Sequence, residues 1–258
     1  MLNIARDAIS LIYYGLSAMG NADNEIVLLY HSIDNIPEGN DPYKINLKPD
    51  LFAEQMVVLN RIRERSLVLT FDDGFENFFY NAFPVILKYN MSAIVFVTTD
   101  FINEKFTSER LTGNKARLSP LSWGQLREMA GRGIEIGSHT LTHLDLSRLN
   151  NEMLYREISE SKKIIEDNIG KKVKYFAYPY GARDTFNENI KQMVKDSGYE
   201  KAYTNIMGFN NRNSDLYALR RIRIYGDDNI SRFKMKINGA YNWVDRIKYF
   251  NNRPGRNV

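Results

Sequence analysis

Leu67-Val68-Leu69-Thr70-Phe71-Asp72-Asp73-Gly74 is the stretch on which the fold turns. Five β-prone residues run straight into two carboxylates and a glycine. An apolar run without alternation is the mark of a strand covered on both faces, as in a parallel sheet. Gly74 permits a sharp turn directly after it. Two adjacent carboxylates at the end of such a strand are costly unless solvated, paired or bound to a cation.

Similar β-rich runs recur along the chain: Ile26 to Tyr30, Ala93 to Val97, Ile134-Glu135-Ile136, Val173 to Tyr178 and Lys201 to Thr204. Helical patterns fall between them. Asp50 to Arg65 follows Pro49 and places Leu51, Phe52, Met56, Val58 and Leu59 at helical intervals. Asn150 to Asn168 opens on an asparagine cap and stops at Gly170, and Phe186 to Ser197 stops at Gly198. Strand alternating with helix predicts an α/β fold in a single domain over residues 26–230. The long polar loop from Ile102 to Leu121 is expected to form a lid or a rim insertion.

The chain has 258 residues, 43% hydrophobic and 26% charged, with a mean hydropathy of −0.43. These values exclude a disordered chain, a collagen-like fibre and a polytopic membrane protein. With no cysteine, disulfides, thiolate metal sites and a cysteine nucleophile are excluded together. The net charge of +4 is uneven: residues 231–258 carry seven Lys or Arg against Asp245 alone, so the remainder is slightly acidic. This basic, aromatic tail is expected to be a helix with a solvated face, with peripheral contact to an anionic membrane as the alternative. No nucleic-acid motif is present, so nucleic acid is not an expected partner. Residues 1–25 are expected to form a leader helix. The apolar stretch Ala8 to Gly20 is shorter than the about 20 residues that span a bilayer. Asp7 beside Arg6 weakens it as a signal peptide, whereas Ala18-Met19-Gly20 fits a cleavage site. The expected location is therefore cytoplasmic or peripheral at the inner membrane, with export left open.

The three histidines, His31, His139 and His143, all lie just beyond predicted strands, as do Asp72-Asp73 and Pro179-Tyr180-Gly181. In parallel α/β folds the C-terminal strand ends meet on one rim, where active sites form. The spacing of His139 and His143 can aim two imidazoles at one metal ion, but taken alone it is a weak signal, since two rim histidines four apart also occur by chance. One aspartate with two histidines makes a three-ligand site with open positions, and the second aspartate is then free to act as a base. Tyr178-Pro179-Tyr180-Gly181 reads either as a structural turn or as a turn whose N–H faces an oxyanion.

Three motifs, Thr70 to Gly74, Ser138 to His143 and Tyr178 to Gly181, resemble in this order the polysaccharide deacetylase family, the NodB-homology group also called carbohydrate esterase family 4. The resemblance covers residues 26 to 224. It implies a distorted (β/α) barrel and metal-dependent removal of acetyl groups from an N-acetylated oligo- or polysaccharide. It further implies that Asp73, His139 and His143 bind the metal, that Asp72 is the general base and that the Tyr180 N–H helps form the oxyanion site. Pro179 and Gly181 become substrate candidates beside it.

Two departures stand out. Many members have Arg where this chain has Ala177, and many carry a late histidine as general acid, whereas none follows His143 here. A subgroup resembling the bacterial poly-N-acetylglucosamine deacetylases has an early Tyr-His motif instead, which Tyr30-His31 matches and which implies His31 as the acid. In that subgroup a late Arg stands near the base, and Arg221 is the candidate. Zinc is the expected metal, with cobalt, nickel, iron and manganese compatible with the same donors. The competing readings are a same-fold hydrolase of another acetyl ester or amide, and a non-catalytic carbohydrate-binding domain. A glycosidase using Asp72 and Asp73 is disfavoured, because its carboxylates must flank the scissile bond about 5 Å or more apart.

Overall fold

The computed structural model describes residues 24–62, 66–112 and 117–243. Among the described residues there are nine strands: β1 (Ile26–Tyr30), β2 (Ser32–Ile33), β3 (Asn46–Leu47), β4 (Leu67–Phe71), β5 (Ala93–Val97), β6 (Glu135–Ser138), β7 (Tyr175–Ala177), β8 (Lys201–Tyr203) and β9 (Ile222–Arg223). Seven build one sheet in the order β8-β7-β6-β5-β4-β1-β9. Every pairing in it is parallel. The sheet curls until its two ends meet: Tyr203 bridges Leu219 in parallel, with the Leu219 N–H on the Ala202 carbonyl at 2.9 Å and the Thr204 N–H on the Leu219 carbonyl at 2.8 Å. The result is the distorted (β/α) barrel that the family resemblance implies.

Side chains of a strand alternate between faces, and here the two faces have different partners. Val27, Ile94, Phe96, Ala177, Tyr203 and Leu219 fill the inside of the curl. Residues of the other parity, among them Ile26, Leu28, Leu69, Phe71, Val95, Phe176 and Ala202, belong to the core under the helices. Runs without alternation are thereby explained, since both faces are dry. The interior is tight at Gly137, where a Cβ would lie 2.4 Å from the Phe96 ring.

The helices are α1 (Pro49–Asn60), α2 (Phe83–Tyr89), α3 (Trp123–Gly131), α4 (Ser161–Ile169), α5 (Glu188–Asp196) and α6 (Ile230–Ile237), with shorter turns between them. Helix α1 buries Phe52, Met56 and Leu59 and ends at Asn60, short of the predicted Arg65. The helical stretch before α4 starts where Asn150 accepts the Met153 N–H at 2.9 Å, and α4 stops at Gly170 with φ 70°. A π-type segment, Arg156–Glu160, interrupts it. Asn187 caps α5 in the same way.

Residues 102–121 hold a short helix, Glu109–Thr112, and their far end is pinned to the chain after the acidic pair. The Glu76 N–H donates to Ser119 and the Leu121 N–H to Gly74, both at 2.9 Å. The basic segment begins inside α6, which buries Phe233 and Ile237 and packs on the domain. Residues 244–258 and nearly all of the expected leader helix lie outside the described residues. No helix among the described residues is long and apolar enough to cross a membrane.

Candidate active site and metal centre

The C-terminal ends of the strands converge on one mouth. Strand β4 delivers Asp72 and Asp73, β6 delivers His139, β1 delivers His31 and β7 leads into Pro179-Tyr180-Gly181. Asp73 Oδ1 lies 3.8 Å from His139 Nε2 and 3.6 Å from His143 Nε2. These contacts are too long for hydrogen bonds, and Asp73 Oδ1 is buried without any hydrogen-bond partner. They approach instead the about 3.4 Å between neighbouring donors around a tetrahedral cation bound at about 2.1 Å. One donor atom from each of the three residues lies within 4.8 Å of the others. His139 Nδ1 sits 2.8 Å from the Ala177 carbonyl. A carbonyl only accepts, so Nδ1 carries the proton and Nε2 offers its lone pair to the centre. An orphaned buried carboxylate oxygen facing an imidazole lone pair fits a metal ion.

Electrostatics agree with that fit. Burial, then the neighbouring Asp72, pushes the Asp73 carboxyl well up, so its ionised form needs a cation beside it. Burial also lowers His139 and His143, keeping both rings neutral, as a ligand requires. Asp72 is the opposite case. Burial would raise it, but the Arg221 guanidinium and His139 outweigh burial and hold it well below the usual carboxylate range. Arg221 is fully buried and donates to Asp72 Oδ1 and Oδ2, both at 2.7 Å. Asp72 Oδ2 lies 3.9 Å from His139 Nε2, beside the three donors but not among them.

His31 is pushed down to about 3 by burial, then by Arg223, Arg221 and His139, against the pull of Asp72. It directly follows β1 on the same rim, with Nδ1 buried and unpartnered. Of the third motif, Pro179 and Gly181 are buried and Tyr180 is exposed. Gly181 packs on the chain beside it, where a Cβ would lie 2.6 Å from the Asn205 nitrogen. The Tyr180 carbonyl accepts from Asn205 Nδ2 at 2.6 Å, its ring lies 5.0 Å from that of His143, and its N–H donates to no described group. Among the described residues, positive φ outside glycine concentrates here: Asp73 at 74°, Thr140 at 70°, His143 and Tyr180 at 61°. Such backbone costs about 1–3 kcal/mol per residue and persists where its surroundings enforce it.

The family model for polysaccharide deacetylase matches residues 60–202, more than half of the chain. The chain belongs to the polysaccharide deacetylase family. Bacillus subtilis YxkH, named for the same family, is 31% identical over 161 residues, which are 62% of this chain and 52% of that one. The poly-beta-1,6-N-acetyl-D-glucosamine N-deacetylase of Staphylococcus aureus is 27% identical over 199 residues, 74% of this chain and 64% of that one. The chain thus spans between half and two thirds of these relatives. The deacetylase PplD of Streptococcus pyogenes shares the fold, with a TM-score of 0.71 at 23% identity over 83% of this chain and 98% of that one.

As a member of the polysaccharide deacetylase family, the chain replaces the expected third-motif arginine by Ala177, and here Arg221 is the guanidinium against the base candidate. Two further residues around this site escaped the reading of the sequence. Asn205, just past β8, accepts from Arg221 Nη2 at 2.7 Å and holds the Tyr180 carbonyl; its place after a strand end was the available signal. Glu157 lies in the π-type segment and carried no signal. Its carboxylate accepts the Leu141 N–H at 3.1 Å, the Thr142 N–H at 2.9 Å and the Thr142 hydroxyl at 2.5 Å. Those bonds clamp the loop between the two histidines. Glu157→Gln would turn an N–H towards donors, and metal affinity is expected to fall about 10–100-fold, the range for outer partners of metal ligands. Competition with a chromophoric chelator measures it, and an unchanged Kd would show that the loop holds without the clamp.

Proposed function

We propose that the chain is a metal-dependent deacetylase that hydrolyses N-acetyl groups on the sugars of a cell-envelope or extracellular polysaccharide, or of its precursor. The observation that carries this reading is the unbonded Asp73 Oδ1 facing His139 and His143, with a second, separately held carboxylate beside it. A divalent ion on Asp73, His139 and His143, for which zinc is our choice, would polarise the acetyl carbonyl and make water a stronger nucleophile.

The other roles belong to the chain itself. Asp72 takes the proton of the attacking water on a carboxylate oxygen, while Arg221 fixes that carboxylate from behind. The free N–H of Tyr180 points its dipole at charge developing on the acetyl oxygen, a contribution that costs no reorganisation because the turn is already built. His31 protonates the departing amine. Its ring rests neutral and gives up its own N–H proton, and the proton that Asp72 takes from the water replaces it, so that none is gained or lost overall.

Metal analysis of the purified protein, coupled to acetate release from N-acetylglucosamine oligomers, tests the whole reading. The expected result is about one metal per chain and metal-dependent acetate release. His139→Ala is expected to bring metal content and acetate release down together. Metal content unaltered by that substitution would remove His139 from the donor set. A fully metallated wild type that releases no acetate from any oligomer would overturn the activity.

A further inference from the structure

Arg221, just before β9, and Arg223, within it, stand two residues apart on one extended run, so both side chains face inward. The register agrees, since Arg223 pairs with Leu29 and Leu29 pairs with Thr70, whose hydroxyl accepts from Arg221 at 3.2 Å. The two guanidinium groups are treated oppositely. All five N–H donors of Arg221 find acceptors: the Thr204 carbonyl, Thr70, the two oxygens of Asp72 and Asn205. Arg223 lies one step nearer the opening and is only part-buried. Its Nε is buried with no partner, and its contact is the Tyr225 ring, 5.6 Å from the guanidinium carbon. The strand beneath it is fixed, because its carbonyl accepts from buried Lys236 at 2.9 Å. Its pairing with Leu29, two residues before His31, sets it at the C-terminal end of β9, on the same rim as the reacting groups.

A guanidinium laid against an aromatic face and aimed into a catalytic mouth is prepared for planar, two-pronged recognition of an oxyanion. The neighbouring carboxylates do not serve it: Asp72 is taken by Arg221, and Asp73 belongs to the metal donor set. We propose that Arg223 is a specificity residue that receives an anionic group, phosphate or carboxylate, carried by the substrate close to the N-acetyl sugar. This rests on the deacetylase reading for its choice of sugar. The natural substrate is then an anionic N-acetylated glycan or a phosphorylated precursor rather than a neutral polymer.

The test is equilibrium binding to the metal-loaded protein, followed by NMR titration. The probes are N-acetylglucosamine, its 1-phosphate, its 6-phosphate and N-acetylmuramic acid, with acetate release monitored in the same samples. The wild type is expected to bind at least one anionic sugar about ten-fold or more tightly than the neutral one. Arg223→Gln is expected to abolish that advantage and leave the neutral sugar unaffected, which also shows that the variant is folded. Arg223→Lys, which keeps the charge but loses the fork, is expected to retain part of it and serves if the glutamine variant does not fold. Equal binding of all four probes by the wild type, or an advantage that survives Arg223→Gln, would overturn the proposal. So would equal weakening of neutral and anionic sugars. Added acetate separates the remaining source of an oxyanion: if Arg223→Gln weakens acetate binding alone, the guanidinium holds the product and not the glycan. Failure to release acetate would defeat the deacetylase reading while the binding comparison still judged Arg223.

Discussion

Replacing Asp72 with Asn is expected to cut acetate release by about 10²–10⁴-fold, the usual worth of a positioned general base, while metal content stays at the wild-type level. The split follows from geometry. Asp73, His139 and His143 supply the converging donor atoms, and Asp72 stands beside them with both oxygens on Arg221. Asparagine keeps the shape and still accepts from one Arg221 nitrogen, but its amide cannot take a proton from water. Its NH₂ also faces the second guanidinium nitrogen, so thermal unfolding of the variant must accompany the kinetics to separate chemistry from loosened structure. Acetate release and metal content measured on one preparation decide the matter. Wild-type turnover would remove Asp72 as the base, and loss of metal would place it in the donor set.

Much of this site was legible because strand ends are legible. The runs Ile26 to Tyr30, Leu67 to Phe71 and Ala93 to Val97 are strands with those very limits, since an unbroken β-prone run bounded by turn formers has few other uses. Once a parallel sheet is inferred, the residues just past each strand must gather on one rim, and Asp72, Asp73, His139 and His31 do. What escaped lacks that signature. Strand β9 is two residues long in a basic stretch, Arg220-Arg221-Ile222-Arg223, and became a strand through pairing with β1, a long-range event that local composition does not announce. Helix α3 carried a readable signal, the Ser122 and Gln125 capping box. Glu157 looked like any surface glutamate of an amphipathic helix, and only the π-type segment and the returning histidine loop turn it inward. The strained backbone at Asp73, Thr140, His143 and Tyr180 was equally hidden, because each residue type ordinarily prefers negative φ. Tertiary contacts impose these conformations, as with Glu157 on the 141–142 backbone and Asn205 on the Tyr180 carbonyl.

The second large effect concerns stability. Arg221→Met is expected to lower the unfolding free energy by about 3–5 kcal/mol, the usual cost of stripping the partner from a buried charge. Methionine fills a similar volume against the Phe96 ring, which lies 5.8 Å from the guanidinium carbon, so a cavity is not the main loss. The loss is electrostatic and polar. Asp72, about as buried as a side chain can be at 2% exposure, keeps no cation, while the Thr204 carbonyl and the Asn205 side chain lose a donor each. A double-mutant cycle separates this from simple repacking. With Asp72→Asn in the same chain no charge is left stranded, so the double variant is expected to be more stable than Arg221→Met alone. Denaturant unfolding of the four proteins reads the coupling directly. A single variant costing less than about 1 kcal/mol, or costs that merely add, would mean that water reaches Asp72 and that the pair does not hold the seam. Lysine at position 221 would restore the charge without the planar fork. It is therefore expected to recover only part of the loss, because one ammonium cannot meet Thr70, Thr204, Asn205 and both oxygens of Asp72 together. On this account the same five hydrogen bonds tie the chain after β8, at Thr204 and Asn205, to the end of β4, at Thr70 and Asp72, and hold the proposed base in place, so stability and catalysis are expected to fail together when Arg221 is removed.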